Sequence, residues 1–395
     1  MRILLVFHGE FPWNRGIGRA ASAFSHHGHE VVILARNLSQ SEQNEKKPEY
    51  TITRPSSSRL KWLNRLKFNN FPLNPLMVFY IWRAARAYDV GVIVVREIHL
   101  VLASFLVAKL RGIPLCLDMK EAYPYAVEVW GKQRLYHHLS RNRFLVALLE
   151  RLSVALSDHV YVVCPSQVSR LVSRYQLEPS RITIVPNTVA VEYDERAREL
   201  FEERVRAMST ESGSISLVYV GNVSRYRGVE AIIAAIRARG DSAMTFTIIG
   251  RGDPDYMNEL QELAGDSAHI LFEKFVAPEK VAETLSRFHY GVISYEMNNH
   301  VNHSMPGKFC EYLSLGLPVI STEITDIRDY WKDYDCGLLV KDANDEGAML
   351  SVLSDIASTP WSRYRHRVRE ARRLYEEKLS YELAVDGYQR PLPNR

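Results

Sequence analysis

Several things are scarce or missing from this chain, and each absence narrows what it can be. No apolar run approaches the roughly 20 residues of a transmembrane helix, and HLVLASFLVAKLRG is broken by Lys109 and Arg111. The opening MRILLVF is too short for a signal-peptide core and runs straight into a polar loop. A soluble protein is expected, one that at most lies on a membrane. Cysteine is limited to Cys116, Cys164, Cys310 and Cys336, scattered without metal-ligand spacing, which reads as buried reduced thiols in a cytoplasm. The 13 histidines form no HExxH or similar set, so no metal site is expected. Charge of one sign is not in excess either: 50 basic against 46 acidic residues leave +4. That balance argues against a dedicated nucleic-acid binder.

What the sequence does contain is alternation. A length of 395 residues predicts two or three domains. Strand-like runs (RILLVF, HEVVILAR, DVGVIVVRE, IPLCLDM, HVYVVCP, ITIVP) alternate with helical stretches, one of them starting near Gly18. Buried strands alternating with helices predict an α/β fold with a parallel sheet covered on both faces. The pattern lapses into ERARELFEERVRAMSTESGS, read as a linker plus one solvated helix, with a domain boundary near Asn187. It then restarts with SLVYVGN, MTFTIIG, HILFEKF, HYGVISY and PVIST. Two similar α/β halves result, 1–186 and 187–370, with a basic helical tail.

The most informative segment is HSMPGKFCEYLSLGLPVIST, from His303 to Thr322. It reads as a loop, a helix opened by Pro306 and Gly307, a turn at Gly316 and a buried strand. A helix N-terminus offers unpaired N–H groups and partial positive charge to a phosphate or sugar hydroxyl. Glu311, one turn on, is placed to accept hydrogen bonds from a diol such as ribose. The combination suggests a nucleotide-linked ligand.

Other motifs are weaker alone. GIGRAA at Gly16–Ala21 approaches a dinucleotide fingerprint, but HGEFPWNR separates it from the first strand, whereas the fingerprint's glycines follow the strand directly. A hydride-transfer enzyme is therefore disfavoured, leaving either a flexible loop or a glycine-rich loop facing a ligand. YVGNVSRYRG puts Arg225 and Arg227 after a strand, as solvated arginines or as neutralisers of a diphosphate. IIGRG brings Gly250 and Gly252 to another strand end. The segment from Arg59 to Phe71, RLKWLNRLKFNNF, is basic and amphipathic. It reads either as a surface helix on the core or as a peripheral contact with a membrane surface.

Taken in order, these motifs resemble the family 4-like retaining glycosyltransferases with the GT-B fold, over nearly the whole chain. VPN at 185–187 is similar to the family's VPNG turn, YVGNVSRYRG to its VGRL…KG loop, TIIGRG to its IxGxG loop, and FCEYLSLGLPVIST to its EYxAxGxPVIA signature. PGKFCEYLSLGLPV also looks like a subgroup common among cell-envelope polysaccharide enzymes. The resemblance implies two Rossmann-like domains facing across a cleft. The first would bind the acceptor, the second the nucleotide-sugar, and a helix at 371–395 would return to the first. By position, Glu311 would bond the ribose and Arg227 the diphosphate. Gly16 and Gly18 would lie near the donor phosphates, with main chain near Phe275 and Val276 meeting the base and Gly250 and Gly252 shaping its pocket.

Three positions depart from the family pattern. His303 stands where the first glutamate of E-x7-E belongs. Asn222 replaces the usual basic residue, and Arg225 is expected to supply its charge. In LDMKEAYP, Lys120 replaces a histidine, adding a positive charge suited to an acidic sugar or an acceptor phosphate.

The implied reaction is retaining transfer of a sugar from a nucleoside diphosphate to a hydroxyl acceptor, a glycan or lipid-linked intermediate, at the inner face of a cell membrane. Arg227, Arg225, Lys308 and the helix start at Gly307 would stabilise the departing diphosphate without a metal or other cofactor. Domain closure would bring Lys120, Glu121 and the Gly16–Gly18 loop onto the donor. The competing readings are a sugar-nucleotide epimerase or hydrolase on the same architecture, and a non-catalytic nucleotide-sugar-binding subunit.

Overall fold

Short runs rich in β-branched and other apolar residues form the strands of each half. The computed structural model describes residues 1–11, 15–37, 41–58, 64, 67, 71–129, 141–208, 213–240 and 243–392. Contacts divide the chain into two units, Met1–Pro186 with Glu382–Arg395, and Asn187–Tyr381.

The first unit holds β1 (Arg2–Glu10), β2 (Glu30–Arg36), β3 (Asn44–Lys46), β4 (Tyr50–Thr53), β5 (Val92–Arg96), β6 (Leu115–Asp118), β7 (His159–Val162) and β8 (Ile182–Ile184). Their order is β3-β4-β2-β1-β5-β6-β7-β8, parallel throughout except where β3 runs against β4. Leu4 on β1 lies opposite Val32 on one side and Ile93 on the other. The helices are α1 (Arg15–His26), α2 (Pro75–Ala87), α3 (Val101–Arg111), α4 (Tyr123–Val129), α5 (Arg143–Leu156) and α6 (Pro165–Tyr175). Local chemistry sets their ends. Asn74 accepts from the Leu76 N–H with Pro75 at the first helical position, and Asn142 accepts from Phe144 and Leu145. Gly112 closes α3 at φ 64°, a left-handed turn suited to glycine.

The second unit holds β9 (Ile215–Val223), β10 (Met244–Gly252), β11 (Ile270–Glu273), β12 (Tyr290–Ile293), β13 (Val319–Thr322) and β14 (Gly337–Val340). All pair in parallel in the order β11-β10-β9-β12-β13-β14. Its helices are α7 (Val191–Ala207), α8 (Glu230–Arg239), α9 (Pro254–Ala264), α10 (Val281–Leu285), α11 (Gly307–Ser314), α12 (Thr325–Tyr330), α13 (Glu346–Ser358) and α14 (Trp361–Leu374). The expected α/β class with two Rossmann-like sheets is what the structure has. In each sheet the chain reverses its direction of growth, between β1 and β5 and between β9 and β12, and ligands of such sheets gather at the strand carboxyl ends there.

Four details differ from the sequence reading. His8, Gly9 and Glu10 belong to β1, with Glu10 opposite Arg36 after a register shift. α1 begins at Arg15, so Gly16 and Gly18 sit in its first turns rather than in a loop. α7 is not a merely solvated helix: it buries Asp194, Ala197 and Leu200, and Arg204 donates to the carbonyls of Ser286 and Phe288 at 2.6 and 2.7 Å. The tail enters the first unit at Glu382 rather than at 371. Residues before it are held in the second unit, where Ala371, Leu374 and Tyr375 are fully buried and Arg372 reaches the Ser314 carbonyl at 2.5 Å. The final helix α15 (Tyr381–Gln389) anchors in the first unit through Tyr388, whose ring lies 4.9 Å from Phe24 and 5.0 Å from Tyr161.

Candidate functional site

The second unit gathers most of the residues singled out above at the carboxyl ends of β9, β10 and β12. After β9 the chain makes one tight turn, Arg225–Arg227, ended by Gly228 at φ 60°, where a Cβ would lie 2.0 Å from the Ser294 carbonyl oxygen. Only glycine fits such a position. The turn is tied to the end of β12: Ser294 Oγ donates to the Arg227 carbonyl at 3.0 Å, and the Glu296 N–H donates to that of Tyr226 at 3.0 Å.

This anchoring lays the Arg227 guanidinium over the rings of Tyr295 (4.0 Å) and Tyr226 (4.8 Å). Lys308, on the first turn of α11, brings its ammonium 3.5 Å from the Tyr219 ring centre and 5.5 Å from that of Tyr295. Two cations therefore share one aromatic wall, an attraction worth on the order of 1–2 kcal/mol each when desolvated. Lys308 Nζ and Arg227 Nε are both shut off from solvent and have no hydrogen-bond partner. Burial pushes the Lys308 ammonium well below its ordinary range, the Arg227 charge pushes it further, and Glu311 opposes both. Tyr312, the next residue, fixes the helix against the sheet: its hydroxyl accepts from the Val220 N–H at 3.1 Å and donates to the Val218 carbonyl at 3.3 Å. Glu311 is half-buried on the same helix, its carbonyl accepting from Tyr193 at 3.4 Å. Gly307 is exposed at the helix start with nothing within 4 Å of where a Cβ would be, and the Phe309 N–H is taken by the Pro306 carbonyl at 3.0 Å.

The remaining expected donor residues are placed differently. Arg225 is exposed and turned away, both of its contacts to the Glu259 carboxylate measuring 2.6 Å, with Tyr256 under its guanidinium at 4.8 Å. Its charge is matched by Glu259 instead of being left for a ligand. Gly250 and Gly252 are residues of β10 at its seam with β9; a Cβ on Gly250 would come within 1.9 Å of the Gly221 carbonyl oxygen. These glycines are explained by strand packing. Val276 is half-buried beside exposed Phe275, which lies 5.1 Å under Arg251. His303 ends a short turn, Val301–His303, its N–H bonded to the His300 carbonyl at 3.2 Å. Its neighbour His300 is held low by burial and by the Arg227 charge.

A different charge cluster lies in the first unit. Arg96, the last residue of β5, contacts Asp118, the last of β6, at 2.5 Å and the Gly16 carbonyl at 3.1 Å. Lys120 meets Asp118 at 3.1 Å and the Tyr388 hydroxyl at 3.3 Å, and that hydroxyl donates to Asp118 at 3.1 Å. Burial would raise Asp118, yet Arg96 and Lys120 together hold it below its usual value. Burial pushes Lys120 down to about 8 against the pull of Asp118. Lys120 is thus not the open cation expected from its place in LDMKEAYP, while Glu121 beside it is half-buried. Gly18 packs against Phe11, the nearest ring atom 3.7 Å from a would-be Cβ. Glu97, next to Arg96, adopts φ 71° and ψ 156°, a backbone region nearly exclusive to glycine and costing on the order of 1–3 kcal/mol. His99 stands near it, 3.9 Å from its carboxylate, with the His8 ring 6.0 Å away.

Sequence reasoning did not single out Arg96, Glu97, Tyr388 or the three tyrosines 219, 295 and 312. The tyrosines read as core filler, and Arg96 and Glu97 merely close the run VIVVRE. Among the described residues no group of three or more His, Cys, Asp or Glu side chains is arranged to hold a metal ion, and no helix is long and apolar enough to cross a membrane. The four cysteines are buried and none is in a disulfide. The segment from Arg59 to Phe71 lies outside the described residues except for Asn64, Lys67 and Phe71.

Comparison with known proteins bears on both units. Residues 14–193 match the family described as Glycosyltransferase Family 4, and residues 214–358 match Glycosyl transferases group 1. An alpha-monoglucosyldiacylglycerol synthase of Streptococcus pneumoniae is 22% identical over 206 residues, a stretch covering 50% of this chain and 45% of that protein. The sucrose-phosphate synthase of Thermosynechococcus elongatus shares the fold at a TM-score of 0.72 and 16% identity, covering 99% of this chain and 98% of that one. HepE from Anabaena, solved in complex with UDP, does so at 0.67 and 12%, covering 99% of each chain.

Proposed function

We propose, because this chain belongs to the family 4-like glycosyltransferases with a GT-B fold, that it moves a sugar from a nucleoside diphosphate to a hydroxyl acceptor with retention of configuration. The observation that carries this reading is the pair Arg227 and Lys308. Two half-buried cations share one aromatic wall, with Arg227 Nε and Lys308 Nζ shut off from solvent and without hydrogen-bond partners, an arrangement suited to an anion. Burying charge without partners is costly. A diphosphate would supply the missing acceptors, with the N–H groups at Gly307 completing the cradle.

In the reaction the sugar–phosphate bond loosens first and negative charge grows on the leaving diphosphate. Arg227 and Lys308 are fixed in advance where that charge develops, which is where preorganised groups lower a barrier most. The leaving phosphate oxygen takes the acceptor proton as the acceptor hydroxyl attacks from the same face, so no strong protein base is needed. Glu311 would hold the ribose of the nucleotide. No metal is required in this scheme, since the two side chains carry the neutralising charge. A relative named for a glucosyldiacylglycerol product and a neighbour bound to UDP support a lipid-linked acceptor and a uridine nucleotide, in keeping with a role in building cell-envelope glycans.

Single-turnover transfer by Arg227→Ala tests the assignment. A loss of about 10²–10³-fold is expected, as for removal of one preorganised charge-stabilising donor; an unchanged rate contradicts it. Labelled donor incubated alone separates transfer from epimerisation or hydrolysis, which would yield epimer or free sugar without any acceptor.

A further inference from the structure

Of the fourteen large apolar side chains exposed among the described residues, eleven lie between 71 and 152; the others are Ile184, Leu271 and Phe275. Most of the eleven stand on α2, α3 and α5. α2 packs beside α3 and α3 beside α5, and the inner faces of all three enter one core cluster through Met77, Val107 and Val154. Their outer faces should then be polar, as on an ordinary surface helix. Instead, α5 presents Phe144, Leu148 and Leu152 at four-residue spacing along one stripe, with Phe144 83% exposed. α3 adds Leu110, 78% exposed, and α2 adds Leu76 and Phe79. Contiguous exposed apolar surface of this kind marks a docking face.

Charge decides what docks there. The three helices carry Arg83, Arg86, Lys109, Arg111, Arg143 and Arg151. Their single acid, Glu150, is fully buried and held by Arg170 at 2.6 Å. Arg143 is paired with Glu128 at 2.9 Å and Arg111 with Asp89 at 3.5 Å, but the helices themselves contribute no outward acid, which leaves Arg83, Arg86, Lys109 and Arg151 as the remaining positive charge of the face. A second copy of this chain placed on the same face by two-fold symmetry would set cation against cation, with no acid from these helices to answer it. An interface of anionic headgroups over hydrocarbon answers both parts of the pattern. Phenylalanine and leucine enter the acyl boundary while lysine and arginine meet the headgroups, snorkelling from their aliphatic stems.

We infer that the outer face of α2, α3 and α5 is a docking surface for an anionic lipid bilayer, on which the chain lies without crossing it. The surface is separate from the segment 59–71 and independent of the transfer reading.

Flotation of the full chain with vesicles tests it. The chain is expected to bind phosphatidylcholine vesicles containing phosphatidylglycerol and to bind pure phosphatidylcholine far less. Phe144→Ser with Leu148→Ser should weaken binding to the anionic vesicles by at least about tenfold, with the thermal midpoint unchanged because both side chains are exposed. Arg83→Glu with Arg86→Glu should also weaken it by at least about tenfold and reduce its salt sensitivity, giving a second readout should the serine variant fold poorly. Failure to bind either vesicle overturns the inference. So does equal binding by the parent and both variants, or a dimer in solution that the serine variant abolishes while the parent leaves vesicles unbound.

Discussion

Each unit sets a lysine and an arginine, wholly or half buried, near the carboxyl ends of its strands, and the two clusters are resolved in different ways. In the first unit Arg96 and Lys120 face Asp118, and Tyr388 closes the group with its hydroxyl. In the second, Arg227 and Lys308 face tyrosine rings, and neither Nε nor Nζ has a hydrogen-bond partner. Arg96 Nε also lacks a hydrogen-bond partner, but the first cluster carries its own carboxylate in Asp118; in the second, the proposed diphosphate would take that place. The same residue types thus do different work according to whether a carboxylate is supplied from within.

This contrast can be broken most sharply at Asp118. Asp118→Ala leaves Arg96 and Lys120 buried without their counter-charge and should cost about 3–5 kcal/mol, read as a lowered urea midpoint with little change in m-value. A smaller effect is expected at the other end of the same group. Tyr388→Phe keeps the ring against Phe24 and Tyr161 but removes a buried hydroxyl, and should cost about 1–3 kcal/mol in the same assay.

The pH dependence sharpens the comparison further. Lys120 sits at about 8 in the folded chain against an ordinary 10.5, so between those values the unfolded chain binds more protons than the folded one. Stability contributed by this site should therefore rise as pH increases from 8 to 10.5, and Lys120→Met should flatten that rise in a thermal-unfolding series. Lys308 is displaced in the same direction, but a bound diphosphate would draw its pKa back up. Binding of the anion should then take up a proton and weaken as pH rises, which calorimetry in buffers of different ionisation enthalpy reads directly.

The parts of this account legible in the sequence are those governed by local periodicity and turn chemistry. The strands VIVV and VIST announced themselves as buried runs, and YVGNVSRYRG as a strand leading into a basic loop. Arg227 lies four residues beyond the end of β9, whereas Lys308, fifteen residues beyond β12, reaches the same aromatic wall only through the placement of α11. Pairings across long separations were not legible. Glu259 takes up Arg225 from 34 positions away, and Tyr388 reaches Lys120 from 268. Neither pairing leaves a local signal. The apolar stripe on α5 was hidden for another reason: RFLVALLERLSVAL is apolar on both faces, so its period cannot say which face is buried.

The central claim, that the second unit holds two cations awaiting a diphosphate, is tested most directly by Lys308→Met in a thermal-shift titration with UDP and GDP. Without ligand the variant should melt at or above the parent's temperature, since an apolar side chain replaces an unpaired buried cation. The rise that either diphosphate produces in the parent should shrink, because stabilisation follows ligand affinity. A variant that melts well below the parent yet keeps the full diphosphate-induced rise would show that Lys308 serves the fold and not the ligand.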